Sequence, residues 1–326
     1  MFSRVNVSLG FSTDKTASLN MNQRLTPATF LLLVIPTFLW AGNAVVGRLV
    51  AASIPPVTLN FFRWSLAFVL LLFFAREVLA PKSALWKHWR YYLKLGLLGV
   101  GLYNALQYMA LHSSSPINVT LVGSSMPIWM LIIGRLFFHA GINLHQLFGA
   151  LLSLCGVLII LTRGDFGQLL SLQFVAGDLY MLLATIAWAF YSWLLSLAKD
   201  PPSIKGNWAR TLLAQVVFGV FWSGLFAAGE WVVIDAKIEW SPWLVLAIIY
   251  VAVGPAVIAF RCWGEGVRRI GPAMAGFFAN LIPLFAALLS TIFLGESPRL
   301  FHAIAFVLIV GGIVYSSRFS PGARRD

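Results

Sequence analysis

Aromatic and amide side chains inside long apolar runs are the residues of this sequence that could do chemistry. Trp40 and Asn43 lie three residues apart in one run, and Trp188 and Tyr191 repeat that spacing in another. Residues three or four apart share one face of a helix. Aromatic rings stack on rings, apolar tails or cations, and amides donate and accept hydrogen bonds. The two pairs predict the wall of a binding cavity; the alternative is an interhelical hydrogen bond for Asn43 and packing or lipid contact for the rings.

Other polar side chains extend this predicted site. The third run contains four polar side chains that cannot all face one point. They are Tyr103, Asn104, Gln107 and Tyr108. We predict that Gln107 faces the cavity while some of the others hold neighbouring helices. Ser124 and Asn280 each lie three residues before a proline and share a helix face with it. The predicted substrate-binding set is Trp40, Asn43, Gln107, Ser124, Trp188, Tyr191 and Asn280.

Arg63 and two prolines are predicted to have gating or structural roles. Arg63 lies about seven residues into an apolar run, roughly 10 Å deep at about 1.5 Å per residue. A charge there would bind a substrate carboxylate or pair in a gate; the alternative is a structural arginine that snorkels or binds backbone carbonyls. Pro127 and Pro283 each remove a backbone hydrogen bond within a run, which predicts a kink in each helix. Each kink is either a hinge or a static packing feature.

The sequence contains no pattern typical of a metal, nucleotide or catalytic site. Its five histidines are scattered, and neither an HExxH motif nor a Cys-x-x-Cys spacing occurs. A Walker A motif is also missing, so we predict no ATP hydrolysis by this chain. The apolar runs lack convergent acid, base or nucleophile pairs. We therefore predict no cofactor and no enzymatic activity; the alternative is an intramembrane enzyme acting on a lipid-linked or peptide substrate.

Membrane-spanning helices must position these residues, because the composition excludes a soluble protein. Of the 326 residues, 60% are hydrophobic and only 10% are charged, whereas soluble domains carry about 25% charged residues. With only two cysteines, the chain is not a disulfide-stabilised secreted scaffold. The net charge of +12 is explained by membrane topology, so we predict no nucleic-acid partner. Ten apolar runs are long enough to cross about 30 Å of hydrocarbon as helices. They cover approximately 27–49, 56–75, 91–111, 116–138, 145–162, 176–198, 208–229, 242–263, 272–294 and 299–317.

The distribution of Lys and Arg predicts the orientation of the chain. Of the 23 Lys and Arg residues, 18 fall on the side of the N-terminus, four fall on the opposite side, and Arg63 lies inside a run. Positive residues concentrate on the cytoplasmic side of membrane proteins. Both termini are therefore predicted to be cytoplasmic, which requires an even number of spans. Residues 1–24 lack the apolar core of a secretory signal, so we predict that they form a disordered cytoplasmic tail. Residues 318–326 are predicted to form a second cytoplasmic tail.

An internal repeat divides the spanning region into two halves, 25–165 and 176–317. Positions that match at an offset of 156 or 148 residues are Pro116 with Pro272, Pro127 with Pro283, Gly156 with Gly312, and Trp40 with Trp188. Each half holds five runs, and because five is odd the second half must enter the membrane with opposite polarity. The predicted fold is an all-α integral membrane protein with ten transmembrane helices arranged as two inverted five-helix repeats. This layout is typical of secondary transporters, in which the substrate lies between the repeats.

Four segments resemble the EamA-type members of the drug/metabolite transporter superfamily. They are Trp40-Ala-Gly-Asn43, Pro56 with Arg63-Trp64, Pro127, and Asn280-Leu-Ile-Pro283 followed by Phe293-Leu-Gly295-Glu296. The first half departs from this pattern with Ala140 at the position matching Glu296. The resemblance spans residues 27–317 and implies a ten-helix carrier of the bacterial inner membrane that exports or imports a small metabolite, such as an amino acid. Of the two directions we expect export. Its implied partners are the small-molecule substrate and the lipid bilayer.

Overall fold

The computed structural model describes residues 25–234, 237–294 and 299–318, and this part of the chain contains helices and no strands. The predicted tail 1–24, nearly all of 318–326, and Glu296 lie outside the described residues. Ten long helical segments follow one another, and we number them α1 to α10. They are α1 Pro27–Leu49, α2 Pro56–Ala75, α3 (Trp89–Leu95, Gly96–Leu102 and Tyr103–Ser113), α4 (Pro116–Gly123 and Met126–Phe138), α5 Leu144–Leu161, α6 Ala176–Ser196, α7 Trp208–Val233, α8 (Pro242–Val251, Ala252–Ile258 and Ala259–Ile270), α9 (Pro272–Gly276, Phe277–Asn280 and Leu281–Leu294) and α10 Leu300–Arg318. Short helical turns lie in the connections at Arg76–Leu79, Ala84–Lys87, Phe166–Ser171 and Pro202–Lys205.

Hydroxyl side chains followed by proline begin three of these helices. The side-chain oxygens of Thr26, Ser115 and Ser241 accept hydrogen bonds from backbone N–H groups three residues later, at 3.1–3.2 Å. A proline follows each hydroxyl residue, where its missing N–H costs no helical hydrogen bond. A hydroxyl residue followed by proline therefore begins a helix at each of these three positions.

Nine helices in the described part of the chain are long and apolar enough to cross a membrane. The remaining long segment, α3, is continuous from 89 to 113 but carries Tyr, Asn and Gln side chains that lower its mean hydropathy. The structure also corrects one boundary, because α8 continues to Ile270 rather than ending near 263. Arg268 and Arg269 therefore lie on a helix and not in a connecting loop.

Both helices with a predicted proline kink are interrupted just before the proline. In α4 the helix breaks at Ser124 and Ser125, and in α9 a 3-10 turn covers Phe277–Asn280. Pro127 and Pro283 then lie in the first turn of the helix that follows. A proline ring clashes with the carbonyl four residues earlier and cannot donate to it. The interruption relieves that clash at matching positions in the two halves.

Two wide π-helical turns, at Gly96–Leu102 in α3 and Ala252–Ile258 in α8, were not predicted from the sequence. Their positions differ by 156 residues, the same offset that relates Pro127 to Pro283. Side chains from other helices donate to carbonyls in both turns. The Nδ2 of Asn60 lies 3.1 Å from the Val100 oxygen, and the Nε1 of Trp40 lies 3.1 Å from the Pro255 oxygen. Such turns often mark functional regions of membrane and soluble helices.

Helices α5 and α10 cross in close backbone contact. A Cβ atom built on Gly312 would lie 2.6 Å from the Gly149 oxygen, and one built on Gly156 would lie 2.9 Å from the Ala305 oxygen. At the offset of 156, Gly149 corresponds to Ala305 and Gly156 corresponds to Gly312. The contact between Gly149 and Gly312 is thus repeated by the contact between their counterparts, Ala305 and Gly156. A two-fold relation between two surfaces would produce such a reciprocal pattern.

Candidate functional site

A buried arginine on α2 lies at the centre of a polar cluster. The Nη1 of Arg63 donates to the Asn104 Oδ1 at 2.7 Å, the Tyr108 hydroxyl at 3.3 Å and the Asn43 Oδ1 at 3.4 Å. The Tyr108 hydroxyl donates in turn to the Asn43 Oδ1 at 2.7 Å. We call these four residues, contributed by α1, α2 and α3, the Arg63 cluster. Arg63 is 0% exposed, and a buried charge is costly unless hydrogen bonds or an opposite charge compensate it.

The start of α2, seven residues before Arg63, is fixed by a carboxylate from the end of α7. Glu230 accepts hydrogen bonds from the backbone N–H groups of Val57 at 3.0 Å and Thr58 at 2.8 Å. It also accepts from the Thr58 hydroxyl at 2.8 Å. An acidic group at a helix N-terminus satisfies free N–H groups and complements the helix dipole. Glu230 therefore positions the helix that carries Arg63.

Aromatic rings from both halves of the chain form a packed layer beside the Arg63 cluster. The rings of Trp40 and Trp188 meet edge to face with centroids 5.2 Å apart, and Trp263 lies 5.3 Å from Trp40. Phe260 lies 5.3 Å from Trp188 and 4.7 Å from Trp64, whose ring lies beneath the Arg63 guanidinium at 5.3 Å. All five rings are buried. We call this set the aromatic layer.

A cavity of about 250 Å³ approaches the aromatic layer from one face of the helix bundle. Its lining includes the early part of α1, the end of α6, the start of α7 and the end of α8, so it opens at the face where α1 begins. Tyr191 and Phe260 belong to its wall, and Tyr191 lies 4.9 Å from Trp188. The Tyr191 hydroxyl donates to the Oε1 of Gln215, another wall residue, at 3.0 Å. We call this space the entry cavity.

The mouth of the entry cavity is positively charged. Its lining contains Arg261, Arg268 and Arg269 but only one carboxylate, that of Glu265. Glu265 pairs with Arg269 at 2.8 Å, and Arg261 lies over the Trp208 ring at 4.4 Å. The remaining positive charge would raise the local concentration of anions at the mouth.

The structure places the seven predicted substrate-binding residues in different surroundings. Trp40, Asn43, Trp188 and Tyr191 lie together in the aromatic layer, the Arg63 cluster or the cavity wall. Gln107 is half-buried on α3 and is not among the residues that bond Arg63 or line the entry cavity in the described part of the chain.

Ser124 and Asn280 form local contacts elsewhere. Ser124 donates to the Thr120 oxygen of its own helix at 2.5 Å, and Asn280 donates to the Ser153 hydroxyl on α5 at 2.9 Å. Asn280 thus bonds a neighbouring helix, the interaction weighed as an alternative for Asn43. Substrate binding by the seven residues stays a prediction.

Sequence reasoning considered Asn104 and Tyr108 only for contacts between helices and did not name Phe260 or Trp263, but the structure brings all four residues into the site. Asn104 and Tyr108 bond Arg63, whereas Gln107 was the predicted cavity residue of α3. Their spacing of four residues placed them on one face and was the available signal. Phe260 and Trp263 complete the aromatic layer. Their spacing of three residues was a comparable signal, but the sequence does not indicate which helix that face would meet.

Comparison with known proteins shows similarity to one family over both halves. The model of the EamA-like transporter family matches residues 28–162 and 175–318. The chain is 25% identical over 291 residues to an uncharacterized transporter of Archaeoglobus fulgidus, covering 87% of this chain and 96% of that one. It is 26% identical to the uncharacterized transporter YyaM of Bacillus subtilis, over 76% of this chain and 79% of YyaM. It is 27% identical to the uncharacterized inner membrane transporter YedA of Escherichia coli, over 88% of each chain. One solved crystal structure of another protein has the same fold, with a TM-score of 0.68 and 21% identity over 88% of this chain and 95% of that chain.

Proposed function

The chain belongs to the EamA-like transporter family, and from this we propose that it exports a small metabolite, such as an amino acid, across a bacterial inner membrane by alternating access. Family membership, its transporter relatives and nine apolar helices in the described residues indicate a multi-pass membrane transporter. The observation that carries the proposed mechanism is the entry cavity, which opens at one face and ends at the aromatic layer. A carrier needs a binding region that reaches one face at a time.

The opposite side of the site is nearly closed. This supports a state in which the site is accessible from only one side of the membrane. A space of about 20 Å³ approaches from that side and has Tyr108 of the Arg63 cluster in its wall. The order along the proposed pathway is the entry cavity, the aromatic layer, the Arg63 cluster and this small space. In the second state of the cycle the entry cavity would close and the small space would widen. We propose that Trp40, Asn43, Trp188 and Tyr191 contact the substrate between these two spaces.

The proposed architecture has ten spans in two inverted repeats, with α3 as the span of lowest hydropathy. Three observations support it. The family model matches twice, the two π turns lie 156 residues apart, and the close contacts between α5 and α10 are reciprocal. The α5–α10 contact joins antiparallel helices, because Gly149 meets Gly312 and Gly156 meets Ala305. Antiparallel partners are related by an axis perpendicular to the helices, and this supports a repeat axis that lies in the membrane plane.

Transport without ATP tests the proposed function directly. Purified protein would be reconstituted in liposomes loaded with a mixture of amino acids and small organic acids, and release would be followed by mass spectrometry. We expect protein-dependent release of at least one compound down its gradient. Protein-free liposomes provide the control. Equal release from both preparations for every compound would contradict the proposal.

Replacing Pro283 with Ala is expected to slow transport several-fold and leave half-saturation nearly unchanged. Alanine restores the missing N–H, so the interrupted α9 would become a straighter helix that bends less readily between states. The measurement is counterflow of a compound released in the liposome assay. Pro272→Ala is the matched control, because Pro272 is the first residue of its helix, where no helical hydrogen bond is missing. A Pro283→Ala rate equal to that of the parent would assign this proline to packing.

The charge distribution leads to a separate expectation for the proposed orientation. A reporter enzyme that is active only in the periplasm, fused after Arg325, should give no signal, because 18 of the 23 Lys and Arg residues lie on the predicted cytoplasmic side. The same reporter fused in the connection after Arg163 should be active. An active first fusion and an inactive second fusion would contradict the predicted orientation and indicate the opposite one.

A further inference from the structure

We propose that Arg63 is the recognition site for a substrate carboxylate, and that the transported compounds are monocarboxylates with an apolar or aromatic body. This inference rests on the proposed function and names the substrate class of the same site. It is based on the guanidinium donors that bond no protein acceptor among the described residues. Among the described residues, the Arg63 Nε and Nη2 are buried and have no hydrogen-bond acceptor.

The hydrogen bonds of Arg63 are arranged on one nitrogen only. Asn43, Asn104 and Tyr108 all receive or share the Nη1 protons. The Nε–H and one Nη2–H of an arginine form a parallel pair of donors along the other edge, which matches the two oxygens of a carboxylate. An arginine that served only to join helices would be expected to use these donors as well, because unsatisfied buried donors are costly. The cluster therefore holds the guanidinium so that its two-donor edge remains for another molecule.

The charge balance favours a singly charged ligand. Arg63 is fully buried, and none of the ion pairs found in the described part of the chain includes it. Its three side-chain partners are the neutral groups of two asparagines and a tyrosine. One carboxylate would neutralise the guanidinium, whereas a phosphate dianion would leave an unpaired negative charge in the same buried position. A neutral ligand would leave the positive charge uncompensated.

The surroundings of Arg63 indicate what is attached to the carboxylate. The Trp64 ring lies beneath the guanidinium and contacts Phe260, which belongs to both the aromatic layer and the entry cavity wall. An apolar or aromatic body extending from the carboxylate toward the entry cavity would pack against these rings. The positive mouth of the cavity would attract the anion from the same side. The carboxylate of such a substrate would thus bind at Arg63, and its apolar body would pack against the adjacent aromatic layer.

Binding of acids and their amides to the purified protein tests this inference. The probes are 3-phenylpropanoate, L-phenylalanine and L-leucine, each compared with its carboxamide, which has nearly the same shape but no carboxylate charge. We expect at least one acid to raise the melting temperature in detergent and to bind at least tenfold more tightly than its amide. Arg63→Gln should remove this preference, and Arg63→Lys should retain part of it because the charge stays while the two-donor edge is lost. Arg76→Gln, an exposed arginine directly after α2, should behave like the parent.

The outcomes separate this inference from the proposed function. Equal binding of every acid and its amide to the parent protein, or no binding of any acid, would overturn the carboxylate assignment even if the liposome assay shows transport. An acid preference that persists in Arg63→Gln would move the carboxylate site away from Arg63. Acid-selective binding that depends on Arg63, together with no transport of any compound, would leave the site intact and contradict the carrier function. If Arg63→Gln does not fold, the comparison of acid and amide in the parent still decides the substrate class.

Discussion

Replacing Asn43 with Asp is expected to raise the melting temperature and to slow transport of carboxylates at least tenfold. The Asn43 Oδ1 accepts from both Arg63 and Tyr108, and an aspartate oxygen in the same position would keep both hydrogen bonds. The new carboxylate would neutralise the buried guanidinium from within the protein, and hydrogen bonds to charged groups contribute about 1.5–3 kcal/mol. The same neutralisation removes the charge that would attract the substrate carboxylate. A stabler protein that no longer transports is the expected combination.

Asn280→Asp is the matched control for this change. Asn280 is also fully buried, but its Nδ2 donates to Ser153 and its Oδ1 has no donor among the described residues. An aspartate there would place an unpaired carboxylate in the packed interior, so the melting temperature should fall. Thermal unfolding and counterflow would be measured for both variants. Parent-like transport by Asn43→Asp, or a melting temperature that drops as far as in Asn280→Asp, would contradict the role assigned to Arg63.

Replacing Gly312 with Val is expected to destabilise the protein strongly. A Cβ atom at Gly312 would lie 2.6 Å from the Gly149 oxygen and 3.1 Å from the Ser153 nitrogen, and neither backbone atom can move without separating α5 from α10. Overpacking of this kind typically costs about 1–3 kcal/mol, and a second branch on the side chain adds to the clash. The reciprocal variant Gly156→Val should have a comparable effect, because its Cβ would lie 2.8 Å from Ile309 and 2.9 Å from the Ala305 oxygen. Thermal unfolding in detergent is the measurement.

Gly311→Val controls for the loss of glycine in α10 itself. A Cβ there would meet only the Leu152 Cδ2 at 3.8 Å, an ordinary contact distance. Its melting temperature should stay close to that of the parent. If Gly311→Val and Gly312→Val lose the same stability, the close α5–α10 crossing does not limit stability, and the reciprocal contact would be a weaker argument for the two-fold arrangement.

Much of the membrane architecture was predictable because it depends on properties that are read along one dimension. The length of an apolar run, a proline within a run and an offset between matching prolines need no knowledge of neighbours. These signals predicted the helices, the interruptions near Pro127 and Pro283 and the relation to EamA transporters, which the family match confirms. They also singled out Arg63, because a charge inside an apolar run is rare. The ten-span inverted arrangement and the orientation stay predictions.

The partners of these residues were decided only by the tertiary structure. Helical periodicity indicates which residues share a face, but it does not indicate which other helix that face meets or how the helix is rotated. Asn104 and Tyr108 bond Arg63 where Gln107 was predicted to face the site, and the π turn just before them changes the rotation of α3 relative to a regular helix. Asn43 and Asn280 were equivalent candidates by sequence, yet one bonds a buried cation and the other a serine hydroxyl on α5. Sequence alone determined that buried polar groups would need partners; the rotation and crossing of the helices determined which partners they have.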